Sequence, residues 1–321
     1  MRTYRLMTAI LASLLAASGA HAQQNYPTKP IRLIVPFPAG GQTDIVVRTL
    51  AHKLTETFKQ QVVVDNRSGG GGTIGAEIAV KTTPDGYSFV AVSTSYASNA
   101  ALYKLPYDPL KDIEPIAMVG EIANLMTVNP SSSYASVKEL IAYARANPGK
   151  LNYGSGGIGS GNHLATELFN QMTGTQMTHV PYKGATSAAS DLMSGEIQLI
   201  VGGLPGLIPH VKSKRLRGIG VTSDKRSSAL PEIPAVAETV PGYVAVSWAA
   251  ILAPKGLPKD IVARWNSEIN RILQMPDVRT RLTADGLELI GGPPEHLRDR
   301  LQHDVAMWQK VVRTANIKLG G

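Results

Sequence analysis

No cysteine occurs among the 321 residues. This excludes disulfides, a lipid-bearing cysteine behind a leader and every cysteine-containing zinc set. Aromatic residues make up 6% of the chain, with four phenylalanines and three tryptophans, and no ladder of them accompanies a basic stretch, so nucleic acid is not an expected partner. Beyond residue 22 no run reaches about 18 uninterrupted apolar residues, the length a membrane-spanning helix needs. H-E-x-x-H is missing: "HLATE" at His163 has no second histidine, and the seven histidines show no metal-ligand spacing. G-x-S-x-G is missing too, because Tyr153 and Ile158 stand two residues before Ser155 and Ser160. No catalytic residue and no metal ligand is nominated.

What is present begins with an address. Arg2 and Arg5 form a basic segment, Leu6 to Ala17 is apolar but short, and Ala20-His21-Ala22 has the small-x-small spacing of a cleavage site. Residues 1–22 are expected to be a signal peptide removed after Ala22, which makes the protein an exported one. The formal charge is +8, from 32 basic and 24 acidic side chains. The excess is scattered; its densest cluster, "KSKRLR" at Lys212 to Arg217, reads as a solvated helix face. A diffuse positive potential is compatible with anionic solutes.

From Ile31 the pattern repeats as strand, glycine turn and helix. "IRLIVPF", "QVVVDN" and "YSFVAVS" read as strands, separated by helices over Ile45 to Phe58, whose Ile45, Arg48, Leu50 and Leu54 positions leave one apolar stripe, and over Ile74 to Thr82. The same order restarts with a helix over Val137 to Ala146, the strand "KLNYGS", helices over Leu164 to Met172 and Ser187 to Met193, and strands "MTHVPY", "EIQLIVGG" and "LRGIGVTS". Three helices close the chain: Pro258 to Met275, Val278 to Asp285 and Pro294 to Thr314. Such alternation predicts an α/β protein with parallel-rich sheets. Residues 23–121 and 247–321 are expected to form one lobe and residues 122–246 a second. Two crossing strands, near Met118 to Ala123 and Tyr243 to Ala249, would join them.

"NYGSGGIGSGNHL", Asn152 to Leu164, contains the G-x-G-x-x-G spacing of dinucleotide sites. The supporting features are missing: the next strand, "MTHVPYKG", ends without the acidic residue that would hold ribose, so no cofactor is expected. A glycine-rich turn running into a helix also presents unpartnered backbone N–H groups and a positive dipole end, which suits a carboxylate. A second such turn is "PFPAGGQTD", Pro36 to Asp44. The candidate ligand-binding residues are Phe37, Pro38, Ala39, Gly40 and Gly41 in the first turn, Ser155, Gly156, Gly157, Gly159, Ser160 and His163 in the second, and Ser95, Lys183 and Gly184 after neighbouring strands. On this reading Gly40→Leu or Gly157→Leu abolishes binding.

Plainer readings stand beside these. Gly40 and Gly41 also suit a tight strand-to-helix connection, His163 a packed or capping position, and Lys183 a solvated strand end. Asp44 and Asp191 read as helix-terminal or core polar groups, and "DNRSGGGGTIGAE" as a structural loop without the Lys-Ser/Thr ending of a P-loop.

In order along the chain, "PFPAGGQTDIVVR", "DNRSGGGGTIGAE", "PDGYSF", "NYGSGGIGSGNHLATELF", "VPYKGATSAASDL", "GIGVTS", "LPEIPAVAE" and "APKGLP" resemble the signatures of the Bug/TctC family, the periplasmic solute-binding proteins of tripartite tricarboxylate transporters. The one departure is "GGGG" where the family reads "GAGG". The resemblance implies a two-lobed type II periplasmic-binding-protein (Venus flytrap) fold that closes on a carboxylated metabolite. It also implies ligand contacts from Phe37 to Gly41 and from Ser155 to Ser160, partly through water, and docking to the permease subunits of the transporter. A monomer is expected. The alternatives in other classes are a sensory receptor for a membrane signalling partner and an exported enzyme acting on an organic acid.

Overall fold

The computed structural model describes residues 26–40, 42–182, 188–284 and 286–319. The leader, Gly41, Lys183, Gly184 and Asp285 therefore lie outside the described residues. Two mixed sheets organise the chain. The first has six strands in the order β11-β4-β10-β3-β1-β2: β1 (Ile31–Val35), β2 (Val62–Asn66), β3 (Ser88–Ser93), β4 (Ile113–Ile122), β10 (Ser247–Pro254) and β11 (Glu288–Leu289). The second has five, ordered β7-β6-β8-β5-β9: β5 (Asn124–Val128), β6 (Asn152–Ser155), β7 (Thr178–Pro181), β8 (Leu199–Gly203) and β9 (Arg217–Val221).

In the first sheet β1 lies between β2 and β3, parallel to both, with Leu33 beside Val64 and Phe89. Along β1, Ile31, Leu33 and Val35 join one apolar core and Ile34 the other. Both faces are covered, which is why this strand is apolar almost throughout. The sheets are less parallel than the βαβ grammar suggests, because β10 runs antiparallel to β3 and β4, and β5 antiparallel to β8 and β9.

These antiparallel strands are the ones that pass between sheets. β4 continues through Ala123 into β5, and Ala245 and Val246 lead back into β10. Asn124 is the knot at the crossing: its backbone N–H donates to Thr222 Oγ1 at 2.8 Å and its Nδ2 to the Ala245 carbonyl at 2.8 Å, while the Thr222 hydroxyl donates to the same carbonyl. Buried polar groups satisfied this fully hold one geometry.

Ten helices are described: α1 (Gln42–Phe58), α2 (Thr73–Val80), α3 (Ser95–Leu102), α4 (Val137–Ala146), α5 (Gly161–Thr173), α6 (Ala189–Ser194), α7 (Leu204–Lys212), α8 (Lys259–Leu273), α9 (Pro276–Thr283) and α10 (Pro294–Thr314). The stripe of α1 is Val46, Val47, Leu50, Leu54 and Phe58. Ile45 and Arg48, expected on that stripe, are exposed, Ile45 by 38%, since one residue turns the helix by about 100°. "KSKRLR" is not a helix face: α7 ends at Lys212, Lys214 takes φ 59°, and β9 starts at Arg217. On α8 the spacing Ile261, Trp265, Ile269, Ile272 buries one face, and Trp265 stacks on Phe89 at 3.7 Å between centroids. Burying such a ring contributes about 1.5–3 kcal/mol.

The apolar face of α10 is interrupted by one acid, Asp304, which is 2% exposed. It accepts from the Trp248 indole on β10 at 2.7 Å and from Arg300 at 2.9 Å, and Arg300 reaches Glu121 on β4 at 3.2 Å. The network ties the last helix to both crossing strands. Asp304→Asn keeps an acceptor but removes the charge, and urea unfolding should show a loss of about 1.5 kcal/mol. An unchanged midpoint would show that the Arg300 pair contributes nothing.

Candidate functional site

β1, β3 and β6 each end at a turn that opens a helix: α1, α3 and α5. In open α/β sheets this carboxyl edge is where ligands bind. A cleft of about 400 Å³ lies there, walled by both sheets' elements. The first-sheet lobe supplies Thr43 and Val46 of α1, Gly71, and the run Ser93, Thr94, Ser95, Ser98 and Asn99 at the start of α3. The other lobe supplies Ile158, Gly159, Ser160, Gly161 and Asn162 at the start of α5. Crossing-strand residues Ser247, Trp248 and Ala249 also line it, as do Leu102, Tyr103, Leu164, Leu287, Trp308 and Leu319. Among the described residues no charged side chain lines the cleft.

The N-terminus of α5 follows from its sequence. Ser160 is the cap, its hydroxyl accepting the His163 N–H at 3.3 Å, and the residues at the first two helical positions, Gly161 and Asn162, have no carbonyl partner for their N–H groups inside the helix. Asn162 Nδ2 anchors this turn to the Val201 carbonyl of β8 at 2.9 Å. On the facing side Thr94 precedes α3, donating its hydroxyl to Val246 O at 3.2 Å and accepting the Trp248 N–H at 2.9 Å. Asn99 Nδ2 holds the Gly71 carbonyl at 3.0 Å. Two helix ends with unspent N–H groups and a collar of hydroxyls thus face one space, an arrangement suited to an anion without a cationic side chain.

The structure sorts the sequence candidates. Ser95, Gly159 and Ser160 line the cleft; Phe37, Pro38, Ala39, Gly40, Ser155, Gly156, Gly157 and His163 are not among its lining residues. The first glycine turn is already engaged by the chain's own carboxylate. Asp44 accepts the Gly40 N–H at 2.8 Å, Arg48 Nε at 2.8 Å and Asn66 Nδ2 at 2.9 Å. Burial alone would raise the Asp44 carboxyl's pKa, but these hydrogen bonds outweigh it and hold the value below the usual aspartate range. A negative group therefore sits at the α1 N-terminus from the outset.

The second turn is braced in a similar way by neutral groups. The Gly157 N–H donates to Ser155 Oγ at 3.1 Å and the Gly159 N–H to His163 Nδ1 at 3.0 Å. Ser155 is fully buried and shares a 2.6 Å hydrogen bond with His179 Nε2. His163, 5% exposed, stacks on His179 with 3.9 Å between ring centroids and 9° between planes. Desolvation, helped by His179, pushes the His163 pKa down to about 4, so the ring is neutral at pH 7 and its Nδ1 can accept. His163 is a packed residue that shapes the loop. Asp191 likewise serves the core, accepting the Tyr182 hydroxyl at 2.7 Å.

Sequence reasoning passed over Thr94, Ser98, Asn99 and Gly71. The hydroxyl run "STSYAS" directly behind a buried strand was the available signal for the first two. For Gly71 it was four consecutive glycines, all at positive φ. Trp308 had no local signal.

Residues 46–317 match the family model described as the tripartite tricarboxylate transporter family receptor. BugT of Bordetella pertussis is 35% identical over 326 residues, covering 99% of this chain and 100% of BugT. R. palustris Rpa4515, solved with adipate, is 38% identical, with a TM-score of 0.74 over 91% of this chain and 99% of its own. A TctC solute-binding protein from Polaromonas, solved with no ligand, is 26% identical and reaches 0.82 over 90% of this chain and 99% of its own.

Proposed function

The chain belongs to the receptor family of the tripartite tricarboxylate transporters, and from that premise we propose that it captures a carboxylated small molecule in the cleft between its lobes and presents it to the membrane subunits of such a transporter. Receptors of this family are periplasmic; removal of residues 1–22 would deliver this chain there.

The observation that carries the reading is the meeting of α3 and α5 N-termini, one from each lobe, in a space lined by hydroxyls and amides. A carboxylate there would accept charge-assisted hydrogen bonds worth roughly 1.5–3 kcal/mol each. Three or four of them, after the cost of association, are compatible with micromolar binding, about −8 kcal/mol. Ligand shifts a lobe equilibrium only through contacts that differ between open and closed forms, and a site divided between lobes supplies such contacts. We take residues 23–121 with 247–321 and residues 122–246 as the moving bodies, with Asn124 and Thr222 at the hinge.

Binding without turnover fits the side chains. The pair that looks most like nucleophile and base, Ser155 and His179, shares a 2.6 Å hydrogen bond and is not among the residues that line the cleft.

A thermal-shift panel of mono-, di- and tricarboxylates, aromatic acids and acidic amino acids tests the proposal. A binder at ten times its Kd should stabilise the protein by about 1.4 kcal/mol. If no class raises the melting temperature, or if mass spectrometry finds the bound acid converted, the reading fails.

A further inference from the structure

The protein has three tryptophans, and two of them have partners for the indole N–H. Trp248 donates to Asp304 Oδ2 at 2.7 Å, and Trp265 to the Tyr26 hydroxyl at 2.8 Å. Trp308 does not. It is 2% exposed, and among the described residues its Nε1 is the one buried side-chain nitrogen or oxygen without a hydrogen-bond partner. Trp308 also lines the cleft.

Buried polar groups in native proteins are nearly all paired, and an exception calls for a physical reason. Packing alone does not supply one here, since a phenylalanine would give α10 an aromatic plate without a buried donor. Leu102 and Leu319, which share the cleft wall with Trp308, both approach Gly159: a Cβ placed on that glycine would lie 3.1 Å from Leu102 Cδ1 and 3.0 Å from Leu319 Cδ2. This part of the wall is apolar and narrow. In such surroundings a single donor discriminates strongly, because a ligand without an acceptor leaves it unpaired.

We propose that Trp308 is a specificity-determining ligand contact, its Nε1–H donating to an acceptor that the bound acid carries away from the carboxylate held at α3 and α5. The proposal rests on the carboxylate-binding reading and narrows it. The favoured ligand is an organic acid with a short apolar body and a second acceptor, such as a carboxylate, carbonyl or hydroxyl oxygen. A polyanion is disfavoured, since no lysine or arginine among the described residues lines the cleft.

Matched probes test this by isothermal titration: adipate against hexanoate, and 4-hydroxybenzoate against benzoate, on wild type and Trp308→Phe. In wild type the acceptor-bearing member of a pair binds more tightly. Trp308→Phe should weaken that member about ten-fold and leave the other within two-fold, without lowering the melting temperature, because the change removes an unpaired buried donor. Should the variant fold poorly, ¹⁵N-labelled wild type provides the second readout: the Trp308 indole proton should move downfield with the acceptor-bearing probe and stay in place with its partner. An unchanged affinity ratio in the variant, or an indole signal indifferent to the acceptor, overturns the assignment. If no probe and no member of the carboxylate panel binds wild type, the functional reading falls and the Trp308 assignment falls with it.

Discussion

Acidification from pH 7 to pH 4.5 should remove roughly 2–3 kcal/mol of folding free energy through His163 alone. An unfolded histidine titrates near 6.5, whereas burial depresses the folded value to about 4. Between those values the unfolded chain binds more protons, so stability falls as pH falls through that window and levels off below it. His179, stacked on His163 and also lowered by desolvation, acts in the same sense. Glu167, linked to this cluster through its 2.5 Å bond from Tyr153, acts in the opposite sense, because burial raises its carboxyl and protonation relieves it. The His163 contribution is isolated by comparing wild type with His163→Phe, which retains a ring but cannot be protonated. Urea unfolding at pH 7, 6, 5 and 4.5 should give a steeper decline for wild type. Ligand affinity should hold over most of this range and decline only near pH 4, where the folded ring itself takes a proton and Nδ1 no longer accepts the Gly159 N–H at the cleft wall. Equal slopes for the two proteins would mean that this histidine is not held neutral by burial.

Gly159→Leu should weaken carboxylate binding by at least about 100-fold. Gly159 has φ 75°, a region that costs a side-chain-bearing residue about 1–2 kcal/mol. Its Cβ would press on Leu102 and Leu319 from the facing lobe, and the rest of the leucine would occupy the cleft. Gly40 and Gly157 have different surroundings. A Cβ on Gly40 meets nothing within 4 Å, and one on Gly157 meets only the Tyr182 carbonyl at 3.7 Å. Leucine at either position should carry backbone strain and change affinity far less. This revises the equal expectation that sequence places on the two turns. Calorimetry with whichever acid stabilises wild type most would decide. Full affinity in Gly159→Leu would remove the α5 turn from the binding site.

Where periodicity and caps agree, the reading of elements matches closely. The helix over Val137–Ala146 has both ends as expected: Ser136 caps it, accepting the Glu139 N–H at 3.2 Å, and "NPGK" stops it. Pro294–Thr314 matches for the same reason, a proline at the first position and a long apolar stripe. Two helices passed unseen. Ser95–Leu102 is built of small and polar residues with no apolar period, and its burial comes from the packing of Tyr96, Ala97, Ser98 and Asn99 rather than from an amphipathic face. Leu204–Lys212 contains Pro205, Pro209 and Gly206, which locally argue against a helix. The helix at Ser95 matters more, since its first turn is half of the candidate site.

The apolar periods and the glycine turns were enough to specify an α/β chain, because they act through short-range hydrogen bonding and side-chain period, both written along the chain, and the family was legible in the resemblance of its ordered motifs. Which amides remain for a ligand depends instead on where side chains end up in space. Asp44 and His163 take the N–H groups of Gly40 and Gly159, Thr94 and Asn162 are brought to face each other, and α10 carries Trp308 into a cleft whose other walls lie far away in the chain. Such meetings are products of packing, and no local pattern encodes them.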